Sequence, residues 1–381
     1  MKKTNLAITG CMGRMGQQII RSVKKDKNFR LVTLTENKNI NKKINGIKVN
    51  LNTEEAFKKA HLIIDFTVVF QKPDDLIGIS KSYQPVTMQN LGWVRYDPFR
   101  SFTNLSLKDE ETAIDEVKKF VAAGGQSIVD TTSVGIQRSP ESLALISRMS
   151  GANIVMGSGY YIAASHPASV AQKTENDIAD EIVSDIIDGA QNTEIKSGFI
   201  GEIGCSWPLN KNEKKILRAS AIAQSKTGAS IVIHPGRDVQ APFEIIDILG
   251  DAGADISRVV MGHIGRTYSD IELVIELARL GCYLSYDQFG WENSYFSYGS
   301  MDFPSDAMRI GYIKRLVDDG FVDQIVIGQD IACKHLLQKY GGYGYAHLVD
   351  NVIPRLLSAG LTQDQVDIIT KMNPANVLTF N

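Results

Sequence analysis

From residue 108 onward the chain alternates short apolar runs with amphipathic stretches, and no other feature of the sequence limits the fold as sharply. The runs cover residues 127–130, 154–157, 195–203, 230–234, 258–263, 282–286 and 324–328. Between them, stretches such as 110–123, 213–226 and 270–280 repeat apolar residues at intervals of three and four, the spacing of one helix face. Strands alternating with helices at this period predict βα units on a parallel sheet. Seven runs can be counted, whereas a closed (β/α)8 barrel needs eight strands. The barrel reading therefore requires a further strand from before the helix at residue 110.

The 381 residues exceed the roughly 250 of an ordinary α/β barrel, which leaves room for a smaller second piece. With 43% hydrophobic and 22% charged residues, the composition excludes a disordered or fibrous chain. The net charge of −2 hides a split: residues 1–60 hold 14 Lys and Arg against 4 Asp and Glu, and the rest hold 27 against 39. Such a basic segment can be a phosphate- or nucleic-acid-binding arm, a solvated surface or a piece of different origin. No nucleic-acid recognition motif accompanies it, so no nucleic-acid partner is expected. Cys11, Cys205, Cys282 and Cys333 form neither a CxxC pair nor a regular framework, which argues against a disulfide scaffold or a thiolate zinc site. No run approaches the ~18 apolar residues of a membrane span, and the stretch after Met1 is too brief for a signal peptide. A cytoplasmic protein with no membrane partner is expected.

Residues 5–9 read as a short strand, followed by Gly10, Gly13 and Gly16 in a GxxGxxG turn and a helical pattern over 17–25. This order suits a dinucleotide: glycines let the backbone approach the pyrophosphate, whose charge meets unpaired N–H groups at the helix start. The next strand, 31–35, ends in Glu36, 20 residues past Gly16, where an acid that binds ribose hydroxyls is expected. Lys38, Lys42 and Lys43 can receive a 2′-phosphate or simply face solvent, so NAD and NADP both stay open.

The strings ITGCMGRMGQQII, LVTLTE, EEAFKKA and LIIDFT resemble the N-terminal half of dihydrodipicolinate reductase, an NAD(P)H enzyme, over residues 1–67. That resemblance implies a truncated Rossmann-like βαβ fragment in which Gly10, Gly13, Arg14, Met15, Gly16 and Glu36 line the nucleotide. The reductase's later His-His proton-donor segment and lysine-containing PSGT-like loop have no match in this chain.

Polar residues collect at the C-terminal ends of the later apolar runs, where barrel enzymes build their active sites. Asp130, Glu202, His234, His263 and Asp330 all stand there. Imidazole and carboxylate together suit a divalent metal, and a bridging carboxylate can hold two ions. Taken singly, each has a structural explanation. A strand-end histidine often satisfies a local hydrogen bond, Asp130 can cap its own loop, and Cys205 reads as a small buried residue. A barrel, however, brings Glu202, His234, His263 and Asp330 around one mouth, and the four together favour a site.

A second resemblance is far more extensive. QPVTMQNLGWVRYDPFRS, VDTTSVGIQR, VMGSGYYIAASHP, GFIGEIGCSWPL, IHPGRDVQAPFEII, GHIGRT, YLSYDQFG, QDIACK and YGGYGYAHL are similar to the phosphotriesterase-related branch of the phosphotriesterase family, amidohydrolase superfamily, from about residue 61 to the C-terminus. By that resemblance His234 and His263 would bind the second of two zinc ions, Glu202 would bridge both, and Asp330 would bind the first and accept a proton. Tyr161 and Arg266 would contact substrate, while Arg237 can equally anchor the barrel mouth.

The family's first barrel strand ends in His-x-His. Here His61 fills the second position, but Lys59 stands in the first. A cation replaces a ligand there, so the first metal site is expected to be impaired, and Lys59→His to raise metal content. LIIDFT fits both families and marks a seam at 61–67. The expected chain is thus α/β: a Rossmann-like fragment over 1–67, then a hydrolase barrel over 68–381 whose first strand is replaced or supplied by about 59–67. Its expected reaction is attack of a metal-bound hydroxide on an ester, lactone, phosphotriester or N-acyl amide. The alternatives are an NAD(P)H-binding reductase-like oxidoreductase and a catalytically silent fusion. A small-molecule substrate is expected as partner, and the family resemblance suggests a homodimer.

Overall fold

The computed structural model describes residues 70–71, 73–293, 295–296 and 301–380 and, before them, Ile20 and the strand segments named below. The chain divides into two compact units, Met1–Phe70 and Gln71–Asn381.

In the first unit β1 (Thr4–Ile8), β2 (Phe29–Glu36), β3 (Lys43–Ile44), β4 (Ile47–Leu51) and β5 (Leu62–Ile64) form one sheet, in the order β3-β4-β2-β1-β5. Neighbours are parallel except for the β3–β4 pair. Counting the parallel strands alone, the order is 3-2-1-4, that of the first part of a doubly wound nucleotide-binding sheet. Leu34 of β2 is fully buried, and Ile20 is buried as well. The glycine turn between β1 and β2, with Gly10, Gly13, Arg14, Met15 and Gly16, lies outside the described residues.

The second unit carries β6 (Ser127–Asp130), β7 (Asn153–Ser158), β8 (Phe199–Gly204), β9 (Ile231–His234), β10 (Val259–Met261), β11 (Tyr283–Tyr286) and β12 (Ile325–Ile327). These seven strands lie side by side in chain order, each parallel to the next, which is the strand arrangement of an α/β barrel. Helices Glu110–Ala122, Lys211–Thr227 and Ile271–Ala278 occupy the stretches whose periodicity predicts them. Their starts are set by side-chain caps: Asp109 accepts the Thr112 N–H, and Asn210 and Glu213 form a reciprocal capping box. Phe199, Ile200, Ile203, Ile231, Ile233, Val259, Met261, Leu284 and Ile325 have no exposed surface. Strands covered on both faces in this way read as continuous apolar runs in sequence. The run at 195–203 becomes a strand only from Phe199, and before it the Ser197 N–H bonds the Asp185 carbonyl.

The further strand required from before residue 110 is placed differently from the sequence expectation. Leu62–Ile64 pairs with Leu6–Ile8 of β1 in the N-terminal sheet. From residue 73 to 109 the described residues hold helices Leu76–Ser82 and Leu91–Tyr96 and the turn Pro98–Arg100, without a strand. A three-residue apolar strand carries no mark of which parallel sheet it will join. No helix among the described residues is long and apolar enough to cross a membrane. Cys205, Cys282 and Cys333 are free and buried.

Candidate metal centre and active site

In a parallel sheet all C-terminal strand ends face one way, and the site is built from four of them. Glu202 lies within β8, buried along its whole length. Gly201 beside it turns the backbone at φ +137°, where a Cβ would stand 2.4 Å from the Val232 carbonyl oxygen. His234 closes β9, His263 follows β10, and Asp330 follows β12. His263 and Asp330 adopt left-handed backbone, at φ 57° and 46°. For non-glycine residues such strain costs about 1–3 kcal/mol and tends to persist at functional sites.

Glu202 Oε1 lies 3.0 Å from His234 Nδ1 and 2.9 Å from His263 Nε2, and the two imidazole nitrogens are 2.9 Å apart. All three side chains are buried, and together they offer the ligand atoms for a metal ion. One carboxylate oxygen and two imidazole nitrogens converging at this spacing fit a divalent ion such as zinc, which takes such donors at about 2.0–2.2 Å. Asp287, which sequence reasoning missed, orients the cluster: its Oδ1 is 2.9 Å from His263 Nδ1, and its Oδ2 accepts the His263 backbone N–H at 2.9 Å. The partner on Nδ1 leaves Nε2 as the ligand nitrogen. Asp287 directly follows β11, so the strand-end rule that picked out the other four also applies to it.

The electrostatics follow from burial and these contacts. Burial opposes charge on Glu202, but His234 and His263 overcome it and hold the carboxyl well below its usual range. Burial brings His234 down to about 3, helped by the positive charges of His263 and Arg266, so its imidazole is neutral at neutral pH, as a ligand must be. Against burial, Asp287 and Glu202 push His263 up to about 10, so the metal-free cluster holds a proton there that a bound cation would displace from Nε2. Burial raises Asp330, and the carboxylates of Glu202 and Asp287 raise it further.

Asp330 Oδ2 stands 3.9 Å from His263 Nδ1 and accepts Gln288 Nε2–H at 3.3 Å. The Trp291 indole N–H reaches the carbonyls of Gln329 and Asp330, each at 2.9 Å, and pins the strained turn. The Tyr161 hydroxyl lies 3.4 Å from His234, and burial, Glu202 and Asp330 raise its phenol. Arg266 donates from Nη2 to the Pro235 carbonyl at 3.1 Å and lies 3.3 Å from His234 Nε2. Arg237 stacks over Phe296, 4.9 Å from the ring centre. Asp130 accepts the Thr132 N–H in its own loop, the capping role weighed for it. Cys205 is buried. His61 and Lys59 lie outside the described residues, as does the side chain of Glu36 at the end of β2.

The sequence model of the phosphotriesterase family matches residues 57–378. The chain belongs to that family. Residues 4–73 also match the model of the dihydrodipicolinate reductase N-terminus. A phosphotriesterase-related protein of Nematostella vectensis is 45% identical over 326 residues, covering 84% of this chain and 93% of the relative. N-acetyltaurine hydrolases of Xenopus tropicalis and Homo sapiens are 44% and 41% identical, each covering 84% of this chain and 92% of the relative. This phosphotriesterase-family chain is accordingly a hydrolase. Among solved structures, a resiniferatoxin-binding protein from Rhodobacter sphaeroides shares 35% identity at a TM-score of 0.79, covering 81% of this chain and 86% of its own. A phosphotriesterase homology protein from Escherichia coli, with phosphate in its active site, shares 26% at 0.68, covering 78% and 97%.

Proposed function

We propose that this family member is a metal-dependent hydrolase of N-acyl amides, with Glu202, His234 and His263 holding a zinc ion and Asp330 moving the proton. The observation that carries this reading is the convergence of Glu202 Oε1, His234 Nδ1 and His263 Nε2 within 3.0 Å, backed by Asp287. Choice of the amide among ester, lactone, phosphotriester and amide rests on the N-acetyltaurine hydrolases, at 41–44% identity. A divalent ion held there by Glu202, His234 and His263 would supply acidification of a water molecule and polarisation of the substrate carbonyl. The remaining steps belong to the chain. Asp330, raised by burial and its acidic neighbours, takes a proton from the attacking water. The water oxygen adds to the carbonyl carbon. As the C–N bond breaks, Asp330 returns the proton to the amine nitrogen. Tyr161, with its hydroxyl beside His234 and its proton firmly held, donates a hydrogen bond to the carbonyl oxygen as charge builds on it. Phosphate in the active site of the Escherichia coli relative is a tetrahedral oxyanion, the shape of the adduct this sequence passes through.

Elemental analysis of the purified protein, joined to a panel of N-acyl amides, lactones and esters, tests the reading. Bound metal with amide turnover is expected. Absence of both metal and turnover would overturn it.

A second reading is favoured by the 3-2-1-4 strand order and the reductase-like match over residues 4–73. In it the first unit binds NAD(P)H through Gly10, Gly13, Arg14, Met15, Gly16 and Glu36. Titration of nucleotide fluorescence tests this, and a flat titration would dispose of it.

A further inference from the structure

We infer that the side-chain amide of Gln288 holds the attacking water against Asp330, with Nε2 donating to the carboxylate and Oε1 accepting one O–H of the water. The inference rests on the hydrolase reading for the role of that water. Gln288 directly follows Asp287, the residue that orients His263. It is only 4% exposed, and its Oε1 is buried with no donor among the described residues. A buried carbonyl oxygen left without a donor is costly, and it calls for a donor that the fold itself does not supply.

The other end of the amide says where that donor stands. Gln288 Nε2 is 3.3 Å from Asp330 Oδ2. An ionised carboxylate only accepts, so the amide presents its NH2 to Asp330 and keeps its oxygen for something else. Nε2 and Oε1 share one carbon, which leaves the unmet acceptor close enough to Asp330 for a single water to reach both. The backbone on either side is fixed as well. The Gln288 carbonyl accepts the Trp291 N–H at 3.1 Å, and the Phe289 N–H reaches the Gly328 carbonyl at 3.2 Å. The Trp291 indole in turn holds the carbonyls of Gln329 and Asp330. Acceptor and proton carrier therefore stand on one frame before any water arrives.

Water suits this place because it brings two O–H groups. One proton passes to Asp330 as the oxygen adds to the carbonyl carbon. The other stays on the oxygen, bonded to Gln288 Oε1, so that a lone pair is aimed at the carbon. The amide itself neither gains nor loses a proton. A substrate N–H is the rival donor, and it would make Gln288 matter for amides alone.

Gln288→Met keeps the volume and removes both hydrogen-bonding ends. Turnover of an N-acyl amide and of an ester should each fall about 10–100-fold in kcat, with KM little changed. Tm of the same variant should be unchanged or raised, since a buried acceptor without a donor gives way to an apolar group. A lowered Tm with unchanged kcat would make Gln288 a structural residue and overturn the inference. A loss confined to amides would overturn it in favour of the N–H. A high-resolution crystal structure of the metal-loaded wild-type protein reads the placement without turnover. An ordered water within hydrogen-bond distance of both Gln288 Oε1 and the Asp330 carboxylate is expected, and its absence overturns the inference. Turnover without that water would leave the hydrolase reading standing. That water without turnover would leave the water site and remove the hydrolase reading.

Discussion

Asp287 holds His263 at two points, with Oδ1 2.9 Å from the ring Nδ1 and Oδ2 accepting the backbone N–H at 2.9 Å. One carboxylate thereby sets both the ring orientation and the left-handed turn at φ 57° from which the ring projects. Replacing Asp287 with Ala removes both acceptors. Metal affinity, read by competition with a chromogenic chelator, is expected to fall about 10–100-fold. Asp287→Asn, which keeps an acceptor, should lose less. Unchanged affinity in the Ala variant would deny Asp287 its orienting role.

Glu202 is the point at which both imidazoles meet. Glu202→Gln is similar in volume but lacks the charge. Metal content by elemental analysis should drop towards background and activity by about 100-fold or more. If the Gln variant kept its metal, the proposed ligand set would be wrong.

Chelation acts on the whole cluster. Without an ion, Glu202 and the two histidines hold one another by hydrogen bonds, so the barrel should stay folded while activity is lost. Circular dichroism is expected to stay native in excess chelator, with Tm lowered because a ligand of the native state has been removed. Activity should return on adding zinc.

A second buried network lies around Asp306, which accepts hydrogen bonds from Gly290 N, Arg309 Nη1 and His347 Nε2 at 2.9, 2.8 and 2.7 Å. Burial opposes its charge, but His347, the Gly290 N–H and Arg309 outweigh it and hold the carboxyl below the usual range. A depressed carboxylate stabilises the fold fully above its unfolded value near pH 4, and that contribution is lost as pH falls through the lower folded value. Asp306→Ala leaves Arg309 buried with its ion-pair partner gone and should cost about 3–5 kcal/mol. Denaturation across pH 2–7 checks both points: the wild-type advantage over the variant should shrink only at the acid end.

Trp291 connects that network to the site, since its carbonyl accepts Arg309 Nη2 at 3.1 Å and its indole N–H holds the carbonyls of Gln329 and Asp330. Trp291→Phe keeps most of the packing and loses the donor. It is expected to lower kcat about 10-fold or more with little change in KM. A change in KM alone would count against a role in placing Asp330.

The legible parts of this chain were those governed by local pattern. Apolar runs announced β6 to β12, and helix starts coincided with Asp109 and Asn210. Glu202, His234, His263 and Asp330 could be named because parallel strands deliver their last residues to one side. Asp287 escaped notice, although it obeys the same rule, because its work is done through His263 rather than on a ligand of its own. The unmet acceptor of Gln288 could not be read either, since an unpaired atom is defined by what the rest of the fold fails to bring near it.

By itself the sequence determined the alternation of strands and helices, the family and the residues available for chemistry. These follow from periodicity and residue type, which neighbours along the chain express directly. Only the tertiary structure decided that Leu62–Ile64 joins β1, that Glu202 meets two imidazoles from different strands, and that Asp287 backs one of them. Such outcomes depend on parallel register and on backbone turned at His263 and Asp330. Those are properties of packed strands, and no stretch of residues holds them alone.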